Sequence, residues 1–344
     1  MQKNPILSSL LRLTVPQLSL EHPFLMRTLL ALSALHIAHH SPSRRDHLVS
    51  YAIAQHRSAS QAAGILLANV TADNCVPVYI FSILTYVFAM ATPSQPGDDL
   101  LLLNDAGVAD WIYLLRGTKV SSLLILIPTT FPFSTLFPRD SKTYNTNANS
   151  PKEIVVLNYI YIAASPFGPM FAAGARRHCL RTTDTSPHQP LSTLLSFLRN
   201  NANSDISAAE SAERMVIYES TIEELRKTFS VINKAASAGD LQVTDISIWV
   251  FNTSDEYLAL LRDKDNVALV IMSYFCVLLK KLEAHWWMAG RATHILGSIY
   301  RLVDAEYRLL MWWPMEELGW LPPGSGEVSR RSSKEYAPWH GRTA

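Results

Sequence analysis

The amino-acid sequence predicts an all-α fold, a single large helical domain with an apolar pocket between its helices. Apolar residues recur at spacings of three and four along most of the chain, which is the period of a helix face. Residues that cap helices precede several of these stretches, and no run of alternating strands bounded by hairpin turns is found. Hydrophobic residues make up 48% of the 344 residues, enough for a large core.

Three helices are predicted in the N-terminal quarter. The first begins at Pro23, because a proline at the first helical position gives up no intrahelical hydrogen bond, and it ends before Pro42. The second covers residues 44–67, with a face suited to close helix packing that comprises Tyr51, Ala52, Gln55, Ala59, Ala62 and Ala63. The third, residues 75–90, is apolar on every face, so we expect other helices to surround it.

The same pattern returns in the second half of the chain. Helices are predicted over residues 106–115, 207–236, 254–261, 267–283 and 287–302, and a short terminal helix begins at Pro314. Ser254 and Asp265 precede two of these helices and are residue types that cap N-termini. The helix over residues 267–283 is the second one predicted to be apolar on every face.

The domain boundaries follow from this distribution of helices. Residues 1–20 are an N-terminal lead-in, residues 21–320 form the helical domain, and residues 321–344 are a flexible C-terminal tail. Residues 123–163 interrupt the domain, because they hold four prolines and an Asn-, Ser- and Thr-rich middle. A loop of that length is uncommon inside a compact domain, so we expect an irregular insertion there.

Charge and cysteine content restrict the compartment and the partners. The 30 basic and 29 acidic residues give a formal net charge of +1, which is too little for nonspecific DNA binding. Three cysteines without a CxxC pair favour a reducing compartment, the nucleus or the cytoplasm. The N-terminus lacks the apolar segment of a secretory signal. The longest apolar run, residues 76–91, is shorter than the roughly 20 residues of a membrane span, so we expect none.

The sequence predicts no catalytic residue, no metal site and no cofactor. It lacks the nucleotide motifs GxGxxG and GxxxxGK[ST], the serine motif GxSxG and the zinc motif HExxH. Its densest titratable cluster is His36, His39, His40 and His47. Although His36 and His40 have the spacing of two metal ligands on one helix, no further ligand lies nearby. Half-buried and solvated histidines are therefore the favoured interpretation.

Aromatic residues crowd the last third of the chain, and two interpretations of them stay open. They fill a large core, which is favoured, or some of them line an apolar pocket between helices. His285 lies beside Trp286 and Trp287, and Glu283 is two residues away on another helix face. We interpret His285 as a structural residue or part of a pocket wall.

Six blocks of the sequence resemble one known family, in family order. They are HPFLMRTLLALSALHIA (residues 22–38), NVTADNCVPVYIFSILTYVFAMA (69–91), WIYLLRG (111–117), SPFGPMF (165–171), ESTIEELRKTF (219–229) and HWWMAGRATHILGSIYRLVDAEYRLLMWWPMEELG (285–319). Together they resemble the regulatory domain of fungal binuclear zinc-cluster transcription factors, in particular the sterol uptake control protein type. The six-cysteine zinc cluster of that family is not matched, so we expect no direct DNA binding by this chain.

The resemblance implies an α-helical effector domain that acts in the nucleus or cytoplasm and dimerises with itself or with related regulators. Its ligand would be a hydrophobic small molecule, a sterol or a terpenoid-like compound. We expect the pocket between the two helices that are apolar on every face, closed by tryptophans that follow them. The predicted pocket residues are Phe81, Tyr86, Tyr274, Trp286, Trp287 and Trp312.

Three functions stay open at this point, and with them the question whether the chain is an enzyme. The first is a ligand-sensing transcriptional regulator of sterol, lipid or secondary-metabolite genes. The second is an enzyme or accessory protein of a terpenoid pathway that kept the apolar pocket and lost DNA binding. The third is a module that pairs with full-length relatives and titrates them.

Overall fold

The computed structural model describes residues 8–67, 71, 73–93, 103–104, 107–108, 165–166, 187–201, 208–239 and 241–322. These residues form eleven α-helices, and the predicted all-α class is confirmed. None of the helices in these ranges is long and apolar enough to cross a membrane. The predicted insertion, residues 123–163, and nearly all of the predicted tail, residues 321–344, lie outside the described residues.

The helices occur in two groups along the chain. The first group is α1 (Val15–Glu21), α2 (Pro23–His40), α3 (Arg45–Leu67) and α4 (Cys75–Ala91). The second group is α5 (Gln189–Asn200), α6 (Ala208–Ser237), α7 (Val243–Asn252), α8 (Asp255–Arg262), α9 (Asn266–Lys280), α10 (Arg291–Leu302) and α11 (Trp312–Leu318). Between the groups, β1 (Leu103–Asn104) and β2 (Gly107–Val108) form an antiparallel pair.

Small side chains bring α2 and α3 together in a helical hairpin. Ala34 and Ala38 of α2 share a buried cluster with Ala52 of α3, and Ala59 and Ala63 of α3 are buried further along the same helix. Alanine lets two helix backbones approach closely, because its side chain ends at Cβ. The predicted small-residue face of α3 is thus confirmed at its alanines 52, 59 and 63, whereas Tyr51 and Ala62 are exposed.

Helix α9 is the centre of the second group, as its sequence predicted. Every residue from Val267 to Leu279 is buried, and α6, α8, α10 and α11 all pack against it. Helix α4, the other helix predicted to be apolar on every face, has no exposed residue and packs on α2 and α3. Its Tyr86 and Met90 belong to the same buried cluster as α9, whereas Cys75, Ile80, Phe81 and Leu84 are buried with the first group of helices.

Two helix N-termini have the caps that the sequence predicted. The Oγ atom of Ser254 accepts a hydrogen bond of 3.1 Å from the N–H of Tyr257. The Oδ1 atom of Asp265 accepts one of 2.9 Å from the N–H of Ala268. Each side chain satisfies an N–H group that has no partner within its own helix, which fixes where α8 and α9 begin.

Some predicted boundaries are wrong. The helix predicted over residues 287–302 is broken, because Gly290 has a φ of 73°, in the left-handed region that a continuous helix excludes. Residues Trp286–Met288 form a separate 3₁₀ turn before α10. Of the helix predicted over residues 106–115 only residues 107–108 are described, and they form strand β2 and not a helical turn. Helix α11 begins at Trp312, so Pro314 is its third residue and not its first.

The structure also contains helices that the sequence pattern did not predict. Helix α1 and the π-helical turn before it, Leu10–Thr14, lie within the predicted lead-in. Helices α5 and α7 were likewise not predicted. Helix α5 does have a helical pattern, because its buried Leu191, Leu194 and Leu198 recur at spacings of three and four, so it could have been predicted.

Candidate functional site

The six residues predicted to line a pocket lie in different parts of the fold. Phe81 is buried and contacts Phe24, with 5.7 Å between ring centroids. Tyr274 is buried on α9, where its hydroxyl donates a hydrogen bond of 3.1 Å to the carbonyl of Leu310. Trp312 is 61% exposed. Tyr86 and Trp287 contact each other, and they are the part of the predicted set that the structure brings together, whereas Trp286 precedes Trp287 and lies against His36.

We call the assembled group the aromatic junction and define it as Tyr86, His285, Trp286 and Trp287. The ring of Trp287 meets the ring of Tyr86 edge-on at 5.9 Å, and the imidazole of His285 stacks on Trp287 at 5.5 Å. Tyr86 comes from α4, whereas the other three residues follow α9. The junction therefore joins the two groups of helices.

Two polar atoms beside the junction are buried and have no hydrogen-bond partner in the described chain. They are Nε2 of His285 and Oε1 of Glu283. The other carboxylate oxygen of Glu283 pairs with Nζ of Lys280 at 2.8 Å. A buried polar group without a partner costs about 1–3 kcal/mol, so these two atoms are the strongest candidates for contact with a bound molecule.

Burial sets the protonation states at the junction. It lowers the pKa of His285 below its ordinary value, since a charged imidazole is poorly solvated there. Burial also raises the pKa of Tyr86, and a hydrogen bond with Ser247 of α7 opposes that rise only in part. At neutral pH the junction therefore presents a neutral imidazole and a neutral phenol, which suits an uncharged ligand.

Three histidines of α2 lie on the outer side of the junction. The ring of His36 is 4.9 Å from the ring of Trp286, and the ring of His39 is 6.0 Å from it. His40 meets both His36 and His39 at 4.9 Å, and all three histidines are exposed. Among the residues described, no group of three or more His, Cys, Asp or Glu is arranged to hold a metal ion.

A second histidine environment was not singled out from the sequence. His56 of α3 stacks on Phe88 of α4, with ring centroids 3.9 Å apart. Its Nε2 is 3.2 Å from Oγ1 of Thr85, and its Nδ1 is 3.4 Å from Oγ of Ser60. Burial lowers the pKa of His56 to about 4, so its imidazole is neutral at pH 7. The spacing of Thr85 and Phe88 on α4 gave no sign of a histidine partner 29 or more residues earlier in the chain.

Other aromatic residues of the last third fill the core. Trp249 and Phe275 stack at 4.5 Å, and Trp249 meets Tyr257 edge-on at 5.8 Å. All three are fully buried. A further group surrounds Trp313, which contacts Tyr274 at 5.2 Å and His188 at 5.2 Å. These rings serve packing, and they leave the aromatic junction as the candidate site.

The chain matches no family model, no curated protein and no solved structure. Its function is therefore inferred from its own residues and from the resemblance of its sequence blocks.

Proposed function

We propose that the chain is the helical effector domain of a ligand-sensing transcriptional regulator of sterol, lipid or secondary-metabolite genes. Its ligand, a sterol or a terpenoid-like compound, binds at the aromatic junction. One observation carries this proposal: Nε2 of His285, whose ring stacks on Trp287, and Oε1 of Glu283 are buried without a hydrogen-bond partner in the described chain.

The chemistry of the junction favours an apolar ligand with a hydroxyl group. Trp287 is half-buried and offers an apolar indole on which a rigid ring system packs, whereas Tyr86 behind that contact is buried. A hydroxyl both donates and accepts hydrogen bonds, so it pairs with an imidazole nitrogen and with a carboxylate oxygen. Sterols and many terpenoids have this composition, a rigid hydrocarbon body with a hydroxyl.

The position of the junction supports a sensing role. Its residues come from α4 and from the segment between α9 and α10, which belong to different groups of helices. A ligand that contacts both groups stabilises one arrangement of them over others, in proportion to its difference in affinity for the two arrangements. The resemblance to fungal zinc-cluster regulators supplies the biological setting, in which dimers with a second copy or a related regulator act in the nucleus or cytoplasm.

A second candidate is a terpenoid-pathway enzyme or accessory protein with the same site. The observation in its favour is that the imidazole of His285 in the junction and the carboxylate of Glu283, two residues earlier, each have a buried atom without a partner in the described chain, and these are the usual groups of acid–base catalysis. The two candidates differ in the fate of the ligand. A sensor releases the ligand unchanged, whereas an enzyme converts it, and mass spectrometry of the released compound separates the two.

The experiment is thermal melting with a series of matched ligands. The series contains a 3-hydroxysterol, its 3-keto analogue and the corresponding hydrocarbon. We expect the hydroxysterol to raise Tm most, because binding to the folded state stabilises it by mass action. His285→Phe keeps the apolar surface and removes the polar contact, so it should lower the Tm shift of the hydroxysterol to that of the hydrocarbon.

Trp312→Ala is the matched control, since Trp312 belongs to the pocket predicted from the sequence but is 61% exposed. We expect this variant to respond to the hydroxysterol as the wild type does. The proposed site is wrong if Trp312→Ala weakens binding as much as His285→Phe, or if no member of the series changes Tm or tryptophan fluorescence.

A further inference from the structure

An open groove lies on the surface between α1, α2 and α3, and none of the residues that line it belongs to the aromatic junction. Its volume is about 480 Å³, and Leu20, Met26, Arg27, Leu30 and Gln55 are among the residues that line it. We propose that this groove, called here the α1–α3 groove, binds an amphipathic helix of another protein that carries a carboxylate among its apolar residues. This inference does not depend on the proposed ligand at the aromatic junction.

The apolar side chains of the α1–α3 groove face solvent. Leu20 is 76% exposed and Leu30 is 44% exposed, and Met26 is half-buried between them along the groove. An apolar stripe on a helix surface marks a contact region when its residues adjoin each other. Because the groove is shallow and open, a small molecule would stay largely in water there, whereas a helix covers such a surface with residues of one face.

The positive charge of Arg27 indicates which kind of amphipathic helix the groove would bind. The guanidinium of Arg27 donates a hydrogen bond of 3.1 Å to Oε1 of Gln55, and no carboxylate in the described chain pairs with it. Its other N–H groups suit a carboxylate, which arginine binds in bidentate geometry. Arg27 is the one charged residue among the described residues that line the groove, so the charge of the groove favours a partner with a carboxylate.

Two other occupants fit these charges less well. In a symmetric pair of two copies the same patch meets itself, which brings Arg27 of one copy towards Arg27 of the other. Attraction to an anionic membrane requires a cluster of roughly four to eight basic residues, whereas Arg27 is the one basic residue among those that line the groove. A partner helix that has a carboxylate would cover the apolar side chains of the groove and would also pair with Arg27.

The test selects peptides from a display library of amphipathic helices. Each peptide has about sixteen residues, or roughly four turns, with one position varied among Glu, Gln and Lys. Selection uses the full chain, and peptides that also bind the double variant Leu20→Asp/Leu30→Asp are discarded. We expect the selected peptides to carry Glu. We also expect Arg27→Ala to weaken their binding by about tenfold, as loss of a charged anchor does.

Ile65→Asp is the matched control, because Ile65 has the same 76% exposure as Leu20 but does not line the groove. We expect this variant to bind the selected peptides like the wild type, and Tm of every variant checks that it is folded. The proposal is overturned if no peptide distinguishes the wild type from the double variant, or if the selected peptides carry Gln or Lys.

Two further measurements separate the other occupants. Sedimentation shows whether the chain dimerises, and flotation with phosphatidylserine vesicles shows whether it binds a membrane. A dimer or a vesicle complex that the Leu20→Asp/Leu30→Asp variant loses would assign the groove to that occupant and would contradict a partner helix.

Discussion

The guanidinium of Arg291 donates a hydrogen bond to the backbone carbonyl of Thr92, 199 residues earlier in the chain. Thr92 is the residue at which α4 ends, and Arg291 is the first residue of α10. Arg291 is buried, and burial together with the nearby charge of Arg45 lowers its pKa to about 10. The arginine therefore remains charged at pH 7 and holds the end of one apolar helix against the second group of helices.

Removal of this contact should destabilise the chain. Arg291→Met keeps most of the aliphatic stem and removes the guanidinium, so the carbonyl of Thr92 loses a charged donor. Hydrogen bonds to charged groups contribute about 1.5–3 kcal/mol, and we expect the free energy of unfolding in urea to fall by that amount. Arg57→Met, at an exposed position of α3, is the control and should change it by less than about 0.5 kcal/mol.

His56 should make the stability depend on pH. Its pKa is about 4 in the folded chain and about 6.5 in an unfolded one. Between these values the unfolded chain takes up a proton and the folded chain does not, so stability falls as pH falls from 6.5 to 4. The loss from this one group is at most about 3.4 kcal/mol, since one pKa unit corresponds to 1.36 kcal/mol.

The measurement compares the free energy of unfolding at pH 7 and pH 4.5 for the wild type and His56→Gln. The variant should lose less stability than the wild type over this range, because glutamine does not titrate. His47→Gln, which changes an exposed histidine next to the start of the same helix, should behave like the wild type. Equal losses in all three proteins would mean that the environment of His56 does not exclude the proton.

Substitution of Trp249 should destabilise the chain far more than substitution of Trp312, although both tryptophans lie in the last third of the sequence. Trp249 is buried against Phe275, and its indole N–H donates a hydrogen bond of 3.3 Å to the carbonyl of Thr221. Trp249→Ala should cost about 3–5 kcal/mol, as truncation of a buried aromatic residue does. Trp312→Ala should change the free energy of unfolding by less than about 0.5 kcal/mol. Urea denaturation measures the free energy of unfolding of both variants. Similar losses would contradict the burial of Trp249 and the exposure of Trp312.

Asp265 should be the most sensitive acidic residue of the second group. Its Oδ1 accepts hydrogen bonds from the N–H of Ala268 and from the hydroxyl of Tyr218, both at 2.9 Å. Its Oδ2 lies 3.4 Å from Arg214. The carboxylate and burial together raise the pKa of Tyr218, which keeps that hydroxyl a donor over the whole physiological range.

Asp265→Ala removes a helix cap, worth about 1 kcal/mol, and leaves the hydroxyl of Tyr218 without its acceptor, which costs about 1–3 kcal/mol more. We therefore expect a loss of at least about 2 kcal/mol in the free energy of unfolding. Asp265→Asn keeps an oxygen for the cap and should cost less. If the two variants are equally unstable, the negative charge and not the hydrogen bonds accounts for the role of Asp265.

Local interactions explain which parts of the fold the sequence predicted. Ser254 and Asp265 cap helices through contacts with residues three positions later, and the continuous apolar run Val267–Leu279 indicates a helix that is buried on every face. Such signals lie within a few residues of each other, so they are visible in the sequence. The predicted all-α class and most helix bounds depended on them alone.

Only the tertiary structure decided which side chains meet. Trp312 belongs to an aromatic-rich stretch that predicted burial, yet its side chain is exposed to solvent. Trp287, from a nearby stretch, contacts Tyr86 of α4. The bond between Arg291 and Thr92 spans 199 positions. Packing of this kind depends on how whole helices are placed in space, and a pattern with a period of three to four residues holds no information about that placement.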